Sequence, residues 1–328
     1  MEQRTLGRTG LKVSVLGFGC GAVGGLMVGG TAADQERAVA RAVDAGINYF
    51  DTAAQYGNGE SEKNLGRVLK ALKPNVLVGT KVRVPMTERG RIGAAIAEAL
   101  EASLGRLGRE QVDLFQLHNI ITDDGSEPSL SAEAVLNEVV PALERLRAQG
   151  KTRFYGITAI GDTGAMHKVV GARVLDTAQV PYNLLNPSPV SAIHPRFPAH
   201  DYRQLMLAAR NAGMGVIGIR VLAGGALSGD LARHPLATPS VEPIGSGGSY
   251  ADDTARARRL LPLVTEGHVG SLIEAAIRFA ISSDAMSTVL VGYSTMAQLE
   301  EAIAHANKGK LPQAALDRVA ALQAEFVT

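Results

Sequence analysis

The sequence predicts an α/β fold: a (β/α)8 TIM barrel with a short N-terminal β-hairpin and a long loop after strand seven. Three observations lead there. Short apolar runs alternate with amphipathic stretches of helical period along nearly all 328 residues. Continuous apolar strands separated by helices belong to a parallel sheet covered on its outer side. Eight such units in about 300 residues close into a barrel.

Residues 2–15 read as two short strands around the turn Arg8-Thr9-Gly10, and Leu16-Gly17-Phe18-Gly19 as the first barrel strand. Thr31 and Asp34 stand in capping-box spacing at the start of a helix over about 33–45. Strand Asn48–Asp51, a helix near 60–72 and strand Val76–Thr80 follow. In the next helix Ile92, Ile96, Ala99, Leu100, Leu104 and Leu107 keep the three-to-four spacing of one buried face. Strand Asp113–Leu117 leads to a helix over about 131–149 that Gly150 stops. Further strands are expected at Phe154–Thr158, Thr177–Val180 and Val216–Ile219. The last, Thr288–Val291, stands behind a helix whose Ser271 and Glu274 repeat the capping box. Leu231–Ala251, with Gly245-Ser246-Gly247-Gly248, reads as one long mobile loop. No Pro-, Gly- and Ser-rich linker divides the chain, so a single domain over residues 1–328 is expected.

Composition narrows the function. A hydrophobic share of 46% and a charged share of 20% fit a globular enzyme with a large core. A net charge of +1 leaves no electrostatic footprint for nucleic acid or an anionic membrane. The apolar runs are too short to span a bilayer, and Met1–Gly7 lacks the apolar core of a signal peptide. Cys20 is the one cysteine, which fits a reducing, cytoplasmic setting. The partner to expect is a small molecule, bound by a monomer or small homo-oligomer.

Barrels of this kind carry their site at the C-terminal ends of the strands. Asp51, Lys81 and His118 close the second, third and fourth strands, and Tyr56 sits in the loop after the second. A carboxylate, an ammonium, an imidazole and a phenol on one rim form a proton-donating set. One reaction that such a set can serve is reduction of a carbonyl, which gives hydride to carbon and a proton to the developing alkoxide. A free tyrosine, with a pKa of about 10, is too weak an acid for this near neutrality. A neighbouring ammonium favours the phenolate, so Lys81 is expected to tune Tyr56 while Asp51 holds Lys81 charged. His118 would donate to the substrate oxygen. Hydride must come from nicotinamide, since no side chain supplies it. Ala22, Val23, Arg83, Asn119, Ile120 and the loop 231–250 are the candidate substrate contacts. Arg83 either pairs with an anionic or hydroxylated substrate or faces solvent.

The chain resembles the aldo-keto reductase superfamily over nearly its whole length. The resemblance rests on Arg4–Ser14, Ala45–Ala53 with Tyr56-Gly57, Ser61-Glu62, Leu65-Gly66, Gly79-Thr80-Lys81, Asp113–His118, Gly150-Lys151 and Gln179–Asn183. It implies a barrel that interconverts carbonyl and alcohol with NAD(P)(H), and it makes Asp51, Tyr56, Lys81 and His118 the catalytic tetrad.

The same resemblance marks a cofactor site. Thr158-Ala159 stands where the family usually has Ser-Asn, Gln179 matches a carboxamide ligand, and Tyr182 matches the ring on which nicotinamide stacks. After strand seven Arg220, Leu222 and Gly224 belong to the segment Arg220–Leu227, whose glycines allow close approach to phosphate. After strand eight Gly292 and Ser294 precede a helix capped by Thr295 with Gln298, a place suited to an anion. Gln298 replaces the family's 2′-phosphate arginine, and Ala302 its adenine-side Asn, while Glu301 is kept. Binding of NADP(H) with modest preference, and of NAD(H) as well, is therefore expected.

Two alternatives stand beside carbonyl reduction. One is a sugar or polyol dehydrogenase working in the oxidative direction, consistent with the absence of Trp from the chain. The other is a cofactor-binding regulatory subunit, against which the four intact groups argue. No metal is expected: His194, His200 and His234 lack ligand spacing, and Gly19-Cys20-Gly21 stands where a metal-dependent barrel hydrolase carries two histidines. Arg256, Arg258 and Arg259 read as a solvated helix face.

Overall fold

The structure is a computed structural model that describes residues 1–327. Among these, eight parallel strands close a barrel: β1 Leu16–Gly19, β2 Tyr49–Asp51, β3 Leu77–Val82, β4 Val112–Leu117, β5 Thr152–Thr158, β6 Thr177–Pro181, β7 Gly215–Ile219 and β8 Thr288–Gly292. Closure comes from β8 pairing with β1 in parallel, Val289 opposite Leu16 through Gly292 opposite Gly19. Helices α1 Ala32–Asp44, α2 Glu60–Leu72, α3 Ile92–Leu107 and α4 Val140–Ala148 follow the first four strands. The second half continues with α5 Thr163–Gly171, α6 Leu205–Asn211, α7 Leu272–Ser282 and α8 Met296–Asn307. No helix among the described residues is long and apolar enough to cross a membrane.

Local chemistry accounts for the boundaries. Thr31 Oγ1 accepts from Asp34 N–H to start α1, and Ser271 Oγ accepts from Glu274 N–H to start α7. The box at α7 closes one residue earlier than its spacing suggests, because Glu274 Oε2 accepts from Gly270 N–H. Ile92, Ile96, Leu100, Leu104 and Leu107 are all buried, so the apolar stripe of α3 faces the barrel.

Tertiary pairing moved other boundaries. β3 runs two residues beyond the expected Thr80, because Lys81 and Val82 pair with Gln116 and Leu117 of β4. Lys81 therefore lies inside a strand. The helix that Gly150 stops has a π-helical turn at Val135–Val139 before α4. The segment Leu231–Ser249 is irregular as expected, but it is tied down rather than loose. Arg233 donates to Val23, Gly224 and Thr238 carbonyls, and Thr238 donates twice to Ala22 O.

The hairpin Gln3–Thr5 and Lys12–Ser14 stoppers the N-terminal end of the barrel. Its Leu6 and Val13 form an inner core with Tyr49, Leu114 and Ile217. Gly7, at φ +49, brings the hairpin against β7 so closely that a Cβ there would lie 2.2 Å from Gly215 N. Leu6 is 0% exposed. Leu6→Ala is expected to cost about 2–5 kcal/mol, the usual range for a fully buried leucine. A lowered denaturant midpoint with unchanged kcat would check this, and an unchanged midpoint would show that the stopper contributes nothing.

Candidate active site

The ends of three strands, β2, β3 and β4, bring the four expected groups to one place. Lys81, on an inward position of β3, is 1% exposed. Its ammonium donates to Asp51 Oδ2, to Thr52 O at 2.9 Å and to Tyr56 Oη at 3.1 Å. All three ammonium protons are thereby used. Burial alone would push Lys81 down, but the Asp51 carboxylate and the Tyr56 phenol beside it hold it above its ordinary value. Asp51, the last residue of β2, receives two further bonds on Oδ1, from Tyr49 Oη at 2.9 Å and from Gln179 Nε2 at 2.7 Å.

Tyr56 is set by the turn after β2. Its N–H donates to Ala53 O, and its carbonyl accepts from Ser61 N–H at the start of α2. The ammonium lies 4.7 Å from the Tyr56 ring centroid, and His118 meets the ring edge-on at 5.9 Å. His118 follows β4 directly, its N–H bonded to Val82 O. Burial, Lys81 and Arg83 together pull its imidazole down to about 2, so the ring is neutral at working pH. Gln55 Oε1 stands 3.3 Å from His118 Nδ1.

These groups open on a cavity of about 910 Å³ over the C-terminal ends of the strands, near the upper end of the range of roughly 300–1,000 Å³ for ligand pockets. Asp51, Tyr56 and His118 line it, and Lys81 lies behind them. Thr158 and Gln179 line the floor. Thr158 Oγ1 is buried without a hydrogen-bond partner, which suits a polar ligand group. Arg220, Leu222 and Gly224 line a second wall, where Arg220 at φ +58 and Ala223 at φ +48 turn the chain sharply after β7. Gly292, Ser294, Gln298 and Glu301 line the far end. Ala22, Val23, Arg83 and Ile120 line the cavity as well, and Arg83 is exposed.

Four expectations are corrected. Asn119 is 1% exposed, and its amide holds both Val84 N–H and Val84 O, so it braces the chain after β3 and does not line the cavity. Tyr182 is buried and stacks on Phe279 at 5.0 Å, so its ring is not offered to the cavity. Arg256 is not solvated: it binds Pro198 O, Ser246 O and Asp253, and so ties the irregular segment to the helix Tyr250–Arg258. Arg258 and Arg259 are exposed as expected. The start of α8 is also less open to an anion than its sequence suggests. Gln298 Oε1 already accepts from Ser294 N–H at 2.7 Å, and Thr295 Oγ1 accepts from Gln298 N–H.

Gln55 also lines the cavity, and its place beside Tyr56 in the chain is the one signal in the sequence that points to it. Arg233 lies within the flagged loop, but its role as a clasp depends on three carbonyls distant in the chain.

A parallel barrel with this rim defines a class of nicotinamide-dependent oxidoreductases, and comparison with known proteins agrees. Residues 15–324 match the model of the aldo/keto reductase family. The chain is 31% identical over 314 residues to the L-galactose dehydrogenase of Arabidopsis thaliana, covering 93% of this chain and 88% of that protein. It is 30% identical over 330 residues to a D-threo-aldose 1-dehydrogenase of a Pseudomonas species, covering 89% of each. The holo form of an aldo-keto reductase from Bacillus halodurans superposes with a TM-score of 0.73 at 24% identity, over 98% of this chain and 96% of that one. The protein belongs to the aldo/keto reductase family and is an NAD(P)-dependent oxidoreductase.

Because His118 is held down to about 2, it stays neutral above that pH and contributes no ionisation between pH 5 and 8. The kcat/KM profile is expected to show no limb near the ordinary histidine value of about 6.5. A limb there that His118→Asn removes would overturn this assignment.

Proposed function

We propose that the protein interconverts a small hydroxylated carbonyl compound and its alcohol, with Tyr56 giving the proton in reduction and taking it in oxidation. The supporting observation is the unbroken chain from Asp51 through Lys81 to the Tyr56 hydroxyl, which opens on the cavity. A bound nicotinamide supplies or accepts the hydride. With Lys81 Nζ donating to its oxygen, the Tyr56 hydroxyl proton is left to point toward the substrate oxygen. The buried ammonium also stabilises the phenolate that remains after transfer. Neutral His118 carries a single ring proton; with the Gln55 amide turned so that its nitrogen faces Nδ1, that proton sits on Nε2 and is donated to the same oxygen, orienting the carbonyl. Thr158, Gln179 and the glycine-rich wall after β7 would hold the cofactor, and Arg83 and Gln55 would meet substrate oxygens at the mouth.

A second reading, oxidation of an aldose, is favoured by two facts. Two relatives named above are dehydrogenases of L-galactose and of a D-threo-aldose. The mouth carries Gln55, Arg83, His200 and Glu242, polar groups suited to a ring of hydroxyls, and the chain has no Trp to stack on an apolar substrate.

Tyr56→Phe keeps the ring and removes the proton. Its kcat on an aldehyde is expected to fall about 10²–10⁴-fold, the usual worth of general acid catalysis, with cofactor Kd nearly unchanged. Retention of most of the kcat would remove Tyr56 from the role. Cofactor choice follows from the far wall, where Ser294, Gln298, Glu301 and Ala302 include no cation. NADP(H) and NAD(H) are both expected to work, assayed as kcat/KM in reduction of aldehydes and in oxidation of aldoses. A preference beyond about a thousandfold, roughly 4 kcal/mol, would show that a cation reaches the 2′-phosphate.

A further inference from the structure

The buried phenol of Tyr49 has no place in the proton transfer described so far. Tyr49 and Asp51 are two residues apart on β2, so both side chains point into the barrel. Tyr49 is 0% exposed, and its hydroxyl donates to Asp51 Oδ1 at 2.9 Å. Burial, with the Asp51 carboxylate beside it, raises this phenol well above its ordinary range, so it remains a donor at every working pH.

The neighbouring strands leave room for it. Gly79 of β3 pairs with Asp51, and a Cβ at Gly79 would lie 2.5 Å from the Tyr49 hydroxyl and 3.2 Å from its ring. On the other side, a Cβ at Gly17 of β1 would lie 3.3 Å from the same ring. A phenylalanine would fill this space equally well, and a hydroxyl taken out of water is costly unless bonded. The hydroxyl is therefore explained by Asp51 and not by packing.

We propose that Tyr49 is a positioning residue: its hydroxyl fixes the orientation and charge distribution of Asp51, and through Asp51 the ammonium that serves Tyr56. The proposal rests on the reading of Tyr56 as the proton-transfer group. Asp51 Oδ1 has two donors, Tyr49 and Gln179. Gln179 also lines the cavity, so a ligand that draws its amide away leaves Tyr49 as the donor that keeps Oδ1 satisfied. By taking up charge on Oδ1, Tyr49 limits how far Asp51 offsets the field of Lys81 at Tyr56. Removing the hydroxyl makes the phenolate of Tyr56 harder to form.

The test is Tyr49→Phe in the full-length enzyme, with Tyr155→Phe as the control for loss of a buried phenol elsewhere. The Tyr155 hydroxyl bonds Glu144, and Tyr155 does not line the cavity. Tyr49→Phe is expected to lower kcat about tenfold, in line with loss of one hydrogen bond to a charged group. KM and cofactor Kd should stay within about twofold, since no ground-state contact is lost. The alkaline limb of the pH profile should move upward, which Tyr155→Phe should not reproduce. Gly79→Ala, which crowds the same hydroxyl, should copy the defect and add little in the Tyr49→Phe background. An unmoved limb with kcat within about twofold of wild type would overturn the proposal. So would a defect that Tyr155→Phe matches. Ultraviolet difference titration of the tyrosine that Tyr56→Phe deletes measures the same displacement without turnover. Its failure is thus separable from a failure of Tyr56 as proton donor, which the Tyr56→Phe rate alone decides.

Discussion

An ion pair between Lys81 and Asp51, with side chains 1% and 4% exposed, sits at the centre of the barrel mouth, and the site is organised around it. Charges removed from water are tolerated only when their remaining donors and acceptors are met. Here the lysine has three acceptors, and the carboxylate has three donors from three different strands. Breaking a buried pair by removing one partner typically costs about 3–5 kcal/mol, so the geometry of the pair and the stability of the rim are coupled. Tyr56 lies at the end of this network, which turns a structural ion pair into a preorganised electrostatic environment for the proposed proton transfer.

The same economy extends along the chain. Around this centre the protein uses backbone carbonyls as partners for buried or half-buried guanidinium groups, with a carboxylate beside them at Arg256 and none at Arg233. Arg233 holds three such carbonyls and draws the irregular segment after β7 over the cavity edge formed by Ala22 and Val23. Arg256 does the same behind that segment. Both guanidinium groups offer several planar donors, and this lets one residue fix several distant turns. A segment with no helix or strand is thus held by side chains where regular hydrogen bonding is absent.

Much of the fold was legible from local patterns. The stripe of Ile92, Ile96, Leu100, Leu104 and Leu107 and the caps at Thr31 and Ser271 depend on neighbours within one turn, and they stand where the spacing placed them. The convergence of Asp51, Tyr56, Lys81 and His118 was legible as well, because three of them close apolar runs and Tyr56 stands in the loop after one, and strand ends in a parallel barrel converge on one rim. Tyr182 and Asn119 were misjudged because both lie one or two residues past a strand end, where position in the chain no longer fixes direction. Whether such a side chain enters the cavity depends on Phe279 in one case and Val84 in the other.

By itself, then, the sequence determined the alternation of strand and helix, the closure into a barrel and the identity of the polar groups on its rim, because these follow from periodicity and chain order. Only the tertiary structure decided that Lys81 lies within a strand, that Tyr49 stands beneath Asp51 in the space left by Gly79 and Gly17, and that Gln298 closes on Ser294. Each of these depends on a hydrogen bond or a vacancy shared between elements, and no single stretch of chain contains both partners.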